Sequence, residues 1–176
     1  MAHDNNPREF IPLHIAILTV SDTRTEETDT SGALLQEKLT GAGHILADKQ
    51  INPDDIYRIR ATVSKWIADP QVQVVITTGG TGVTGRDGTP EAITPLFDKV
   101  IDGFGEMFRS ISWDDIGTST LQSRCIAGVA NGTYIFCLPG SKGACATGWE
   151  TLIEKQLDYR TRPCNLAELL PRLTER

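Results

Sequence analysis

The stretch Thr77-Thr78-Gly79-Gly80-Thr81-Gly82-Val83-Thr84-Gly85-Arg86-Asp87-Gly88-Thr89-Pro90 places five glycines and one carboxylate within fourteen residues. Glycine permits positive φ and lets a ligand approach the main chain closely, so such a turn between strand and helix suits an anionic group. Thr89 as N-cap, Pro90 at the first helical position and Glu91 in the first turn predict a helix that starts at Thr89. The loop from Gly80 to Gly88 then forms a pocket wall with Asp87 at its exit. A carboxylate there has two readings: a turn or capping residue, or a ligand to a magnesium ion that bridges phosphate oxygens. Asp54, in Asn52-Pro53-Asp54-Asp55, carries the same pair: a helix cap, or a second carboxylate beside the same cleft. Ser141 and Lys142 either cap the helix that follows Pro139-Gly140 or present a hydroxyl and a cation to an anion at its N-terminus. Arg86, Arg109 and Arg124 read as solvated charges, and His14 as structural.

Two familiar phosphate motifs fit poorly. Gly80-Thr81-Gly82-Val83-Thr84-Gly85 satisfies the dinucleotide pattern of glycines, with Asp102 placed where a ribose-binding carboxylate would sit. In that fold, however, the helix begins within the motif, whereas Thr89 and Pro90 put the start several residues later. The loop of nucleotide hydrolases needs a Gly-Lys-Ser or Gly-Lys-Thr that is missing here. Spacing alone therefore supports a phosphorylated ligand, with Mg2+ as its candidate companion.

The elements that must position these residues alternate along the chain. His14 to Val20 reads as a buried strand ending at Ser21-Asp22, followed by a long polar loop from Thr23 to Thr30. Thr30 or Ser31 caps a helix with Leu34, Leu35 and Leu39 inward, ended by Gly41 and Gly43. A second strand runs from Ile45 to Ile51. Ile56, Ile59, Val63 and Ile67 then recur at spacings of three, four and four, which predicts an amphipathic helix ended by Asp69-Pro70. Val72 to Ile76 is almost continuously apolar, as a strand covered on both faces should be. Beyond the glycine loop, Ala92, Ile93, Leu96 and Phe97 form a helical face, and Gly103 to Arg109 reads as a turn leading into another helix. Gly117 to Gly128 shows no clear pattern. Thr133 to Leu138 is the last strand, followed by helices from Ala144 to Tyr159 and from Leu166 to Leu173. The expected architecture is a single α/β domain over residues 1–176, a three-layer sandwich around a mostly parallel sheet, with residues 1–12 as an N-terminal extension. Ligands in such sheets bind beyond the carboxyl ends of the strands.

A chain of 176 residues, 39% hydrophobic and 23% charged, is ordinary for one globular domain. Its net charge of −6 argues against a general nucleic-acid binder. Met1 to Phe10 has neither the basic start nor the apolar core of a signal peptide, and no apolar run is long enough to span a bilayer, so a cytoplasmic protein is expected. Cys125, Cys137, Cys145 and Cys164, with His3, His14 and His44, form no closely spaced ligand pairs, so no zinc site and reduced thiols are expected.

Taken together, Thr77 to Gly82, Asp87 to Ala92, Gly103-Phe104-Gly105-Glu106-Met107-Phe108-Arg109 with Ser110 and Ser112, Ser123-Arg124, Ala127-Gly128 and Leu138-Pro139-Gly140-Ser141 resemble the MoaB/MogA family of molybdenum cofactor biosynthesis proteins. Glu9 to Pro12, Ser119 to Arg124 and Arg160 to Asn165 are similar to its MoaB branch. The resemblance covers nearly the whole chain. It implies a molybdopterin-binding α/β fold that assembles as trimers or dimers of trimers. It also implies binding of molybdopterin and ATP, and adenylylation of the pterin with Mg2+ to give adenylyl-molybdopterin and pyrophosphate. Asp54 and Asp87 match the catalytic, metal-holding carboxylates of active relatives. Thr78, Gly79, Gly80, Thr81, Gly82, Glu106, Arg109, Ser110, Pro139, Gly140 and Ser141 match the substrate-binding positions. Some family members bind the pterin without turning it over, having lost acidic character near Pro53-Asp54-Asp55; this chain keeps both aspartates. A carrier without catalytic activity is the alternative reading.

Overall fold

The computed structural model describes residues 7–175. The start of the N-terminal extension, including His3, and the final residue lie outside it. Strand β1 (His14–Val20) is buried at nearly every position, and its side chains divide between two cores. Ile15 and Ile17 enter one with Leu35, Leu39, Phe104, Phe108 and Trp149; Ala16, Leu18 and Val20 enter the other with Ile59, Val63 and Trp66. Alternate side chains of a strand point to opposite faces, so a strand apolar on both must lie between two helical layers. Each fully buried Leu, Ile or Val contributes about 1.5–3 kcal/mol, and the three-layer arrangement follows from that pattern.

The layers are supplied in chain order by α1 (Thr30–Gly41), β2 (Ile45–Asn52), α2 (Ile56–Ala68), β3 (Val74–Thr78) and α3 (Thr89–Ile93). Then come β4 (Lys99–Val100), α4 (Asp102–Ile116), β5 (Ile126–Ala130), β6 (Thr133–Leu138), α5 (Lys142–Gly148), α6 (Glu154–Leu157) and α7 (Leu166–Leu169). A wide turn, Trp149–Ile153, joins α5 to α6 and points Trp149 and Ile153 inward. The six strands are ordered β2-β1-β3-β6-β5-β4; β1, β2, β3 and β6 run parallel, while β5 is antiparallel to both of its neighbours. From β1 the chain crosses to β2 on one side and then to β3 on the other, the kind of switch point at which open α/β sheets bind ligands. Among the described residues, no helix is long and apolar enough to cross a membrane.

Several local expectations are corrected. Asp29, not Thr30 or Ser31, caps α1, its carboxylate accepting the Gly32 N–H. The helix after the glycine loop starts at Thr89 as expected, but its N-cap is Gly88 and not Thr89. Thr89 is fully buried, and its hydroxyl donates to the Gly79 carbonyl at 2.8 Å. The expected apolar helical face to Phe97 is shorter, because α3 gives way to a tight turn at Thr94–Leu96. No turn precedes α4: Gly103 and Gly105 lie inside it. A Cβ on Gly105 would come within 2.7 Å of the Cys125 carbonyl, so this glycine serves close packing, not chain reversal.

His44, buried at the entrance to β2, adds a pH-sensitive contact. Its Nδ1 accepts the Leu13 N–H at 3.2 Å, and its ring packs between Phe10 and Trp149. Burial holds its pKa below the usual 6.5, against the opposing pull of the Asp158 carboxylate. The unfolded chain therefore takes up the proton first, so this group leaves stability unchanged above roughly pH 6.5 and lowers it as the pH falls below that value. His44→Gln keeps an acceptor for Leu13. In thermal melts between about pH 7 and about pH 5, the variant is expected to lose less melting temperature than the parent. Parallel profiles would exclude His44 as the source.

Candidate functional site

The carboxyl ends of β1, β3 and β6 open into a cleft of about 660 Å³, within the usual range of roughly 300–1,000 Å³ for ligand pockets. Its floor is built by backbone approach. Gly79 has φ +103°, and a Cβ there would lie 2.2 Å from the Val20 carbonyl oxygen. A Cβ on Gly140 would touch Gly79 Cα at 3.2 Å. Thr78 is buried beneath them; its hydroxyl donates to the Pro139 carbonyl at 3.0 Å and lies 3.1 Å from Cys145 Sγ. The Ser31 hydroxyl, from α1, donates to the Gly140 carbonyl at 2.9 Å, so three strand ends are tied together around one floor. Burial pushes the Cys145 thiol up to about 11, against hydrogen bonds from Thr78 and Ser31, which leaves it a poor nucleophile near neutral pH.

The glycine loop forms one wall and is pinned by Arg124. Its backbone N–H donates to the Thr81 carbonyl, Nε to the Gly82 carbonyl at 2.7 Å and Nη2 to the Asp87 carbonyl at 3.0 Å, while Nη1 pairs with Glu91. Asp87 turns its Oδ2 inward onto the Thr84 hydroxyl at 2.6 Å and the Thr84 N–H at 2.8 Å. The Thr84 hydroxyl bond, helped by backbone N–H groups and Arg124, outweighs desolvation and lowers its pKa. Asp54 accepts the Gly88 N–H through Oδ1 at 3.1 Å. Its pKa is raised, chiefly by burial and further by the charges of Asp87 and Asp22. Asp22 in turn accepts the Asp54 N–H and pairs with Arg86 at 2.6 Å.

Of the residues expected at the site, Asp54, Asp87, Thr78, Gly79, Gly80, Thr81, Gly82, Pro139, Gly140 and Ser141 border this cleft together. Ser141 also caps α5, accepting the Ala144 N–H. Glu106, Arg109 and Ser110 do not border it. Glu106 and Ser110 are exposed on α4, and Arg109 donates to the Cys125 carbonyl; α4 instead turns Phe108, Ser112 and Asp115 to the cleft. Sequence reasoning missed Asp29 and Arg24, which border the cleft. Asp29 is 2% exposed and accepts the Thr19 hydroxyl at 2.8 Å, with Lys49 Nζ 3.5 Å away. Burial alone would lower the Lys49 pKa, but Glu26 and Asp29 reverse the direction and raise it. The signal for Asp29 was available as the aspartate of Asp-Thr-Ser-Gly, a capping residue type directly before a helix.

No group of three or more His, Cys, Asp or Glu side chains gathers around a common point among the described residues. The pair Asp54 and Asp87 fits a different arrangement. Burial first, and then the charges of Asp87 and Asp22, oppose the ionisation of Asp54; Mg2+ is commonly held by one or two carboxylates plus substrate phosphates.

Residues 16–159 match the family model described as a probable molybdopterin binding domain. Molybdenum cofactor biosynthesis protein B of Escherichia coli is 60% identical over 157 residues, covering 89% of this chain and 92% of that protein. A crystal structure of a molybdenum cofactor biosynthesis protein B superposes with a TM-score of 0.85 at 40% identity, covering 98% of this chain and all of the other. The tungsten cofactor synthesizing protein MoaB from Pyrococcus furiosus superposes with a TM-score of 0.77 at 34% identity, over 93% of this chain and 98% of its own. The sheet, the cleft and these matches agree, and the chain belongs to the MoaB/MogA family of molybdenum cofactor biosynthesis proteins, with a molybdopterin-binding domain.

Proposed function

We propose that the cleft adenylylates molybdopterin with ATP and Mg2+, giving adenylyl-molybdopterin and pyrophosphate. The observation that carries this reading is the meeting of Asp54 and Asp87 on one wall of the cleft. A terminal phosphate oxygen of the pterin forms the new bond to the α-phosphorus of ATP while the bond to the bridging oxygen breaks, and that oxygen leaves with pyrophosphate. Such transfers depend on positioning and charge stabilisation and need no protein nucleophile, in keeping with a site whose nearest thiol is protonated. Bound Mg2+ would neutralise phosphate charge, and Asp54 and Asp87 are the residues to hold it. The glycine floor, where no side chain intervenes, and the rim at Ser141 would orient the reacting phosphates. The second reading is a molybdopterin carrier without turnover; it needs no carboxylate pair. We also infer a cytoplasmic homo-oligomer, a trimer or dimer of trimers, because Trp113 and Leu121 remain 56% and 87% exposed in the single chain.

Incubation with molybdopterin, ATP and Mg2+ is expected to yield adenylylated pterin and pyrophosphate in equal amounts. Asp54→Asn and Asp87→Ala are each expected to slow it by about 10²-fold or more. Saturable pterin binding with no product and no effect of ATP would favour the carrier. Stability should separate the two variants. The raised pKa of Asp54 means that its ionised form costs stability above the folded-state pKa, so Asp54→Asn should melt at the same temperature or higher near neutral pH. The lowered pKa of Asp87 contributes stability above its ordinary value of 3.8, lost as pH falls below it, so Asp87→Ala should melt lower. Light scattering at the mass of a single chain would exclude the oligomer.

A further inference from the structure

The polar loop between β1 and α1 carries a charge that the proposed reaction has not yet used. Arg24 borders the cleft, whose other charged lining residues are the carboxylates of Asp29, Asp54, Asp87 and Asp115. The loop presents it in a defined posture. The Ser21 hydroxyl accepts the Arg24 N–H at 3.2 Å, and Nη1 donates to the Thr28 carbonyl at 2.9 Å. That single side-chain bond leaves most of the donors of a guanidinium fork for a ligand. No carboxylate pairs with it among the described residues, whereas Arg86 and Arg124, on the glycine-loop side and outside the cleft lining, are matched to Asp22 and Glu91. A multiply charged anion entering a chain of net charge −6 needs a local cation, and arginine binds phosphate oxygens with two parallel hydrogen bonds where lysine offers a point charge.

We propose that Arg24 is a phosphate-binding residue of this cleft, clamping a phosphoryl group of an incoming substrate from the β1–α1 loop. The assignment rests on the adenylylation reading for its choice of ligands, which offer the same chemistry from two sources: the terminal phosphate of the pterin and the polyphosphate of ATP. Direct binding to the full-length protein, measured calorimetrically with molybdopterin alone and with ATP and Mg2+ alone, separates them. Arg24→Gln is expected to weaken one of the two by about tenfold or more and to flatten the salt dependence of that ligand's affinity; Arg24→Lys is expected to recover part of the loss. Loss confined to ATP assigns the polyphosphate, and loss confined to the pterin assigns its phosphate. The side chain is exposed, so the melting temperature should not move, and a variant that melts as the parent does excludes a folding defect. Parent protein that binds neither ligand would sink the functional reading itself. Parent protein that binds, with Arg24→Gln within twofold for both ligands, would overturn only the role of Arg24.

Discussion

The site depends on a steric constraint at the end of β3. Parallel strands deliver their carboxyl ends to one edge of the sheet, and at that edge the backbones of β1, β3 and β6 come nearly into contact. Gly79 sits against the Val20 carbonyl on one side and Gly140 on the other, at a φ of +103° that side chains rarely adopt. Its N–H donates to the Leu138 carbonyl, and its carbonyl accepts from Thr89. Any side chain there would push β1 away from β3, and the floor would open. The crowding also keeps side chains off the floor of the cleft, so a ligand can approach the main chain closely there.

Once the floor is set, the glycine loop has to be held, since a glycine-rich chain has most freedom to lose on ordering. Arg124 does this from outside the loop. It takes the carbonyls of Gly82 and Asp87, both within the loop, and its own N–H takes Thr81. With those carbonyls turned toward Arg124, Asp87 is left at the loop exit facing the cleft. Arg124 is supplied by the segment that follows α4, and α4 is seated on Cys125 by the glycine at 105. The position of a cleft carboxylate therefore depends on how closely a helix on the other side of the sheet packs.

What could be read in advance divides along the same line between local and non-local causes. The glycine loop, the apolar run ending at Ile76 and the periodic face of α2 were legible because each is set by its own composition. The strand pair β4 and β5 was not. Lys99 and Val100 are a strand only because Val129 and Gly128 lie opposite, and Gly128 is required because Phe97 and the Lys99 carbonyl leave no room for a Cβ. Thr89 was assigned to a cap on local grounds, but the buried Gly79 carbonyl claimed its hydroxyl, and tertiary satisfaction outweighed the local preference. Glu106, Arg109 and Ser110 lie near cleft residues in sequence but on other faces of α4, so helical period separated them from Phe108 and Ser112. Asp29 was hidden for the opposite reason: it caps α1 and lines the cleft at once, and either role alone looks ordinary.

The electrostatics of the cleft give its two carboxylates unequal parts. Asp87 is already satisfied, its charge stabilised by Thr84 and backbone N–H groups, and it stays ionised at low cost. Asp54 has one firm partner, the Gly88 N–H, and is opposed by burial and by two like charges. A satisfied carboxylate can fix the place of a cation, and a frustrated one gains most when the cation arrives. Arg86 acts on Asp54 only through its charge, because Asp22 takes its guanidinium through both oxygens. The same Asp22 accepts the Asp54 N–H, so one residue holds both Asp54 and Arg86 in place.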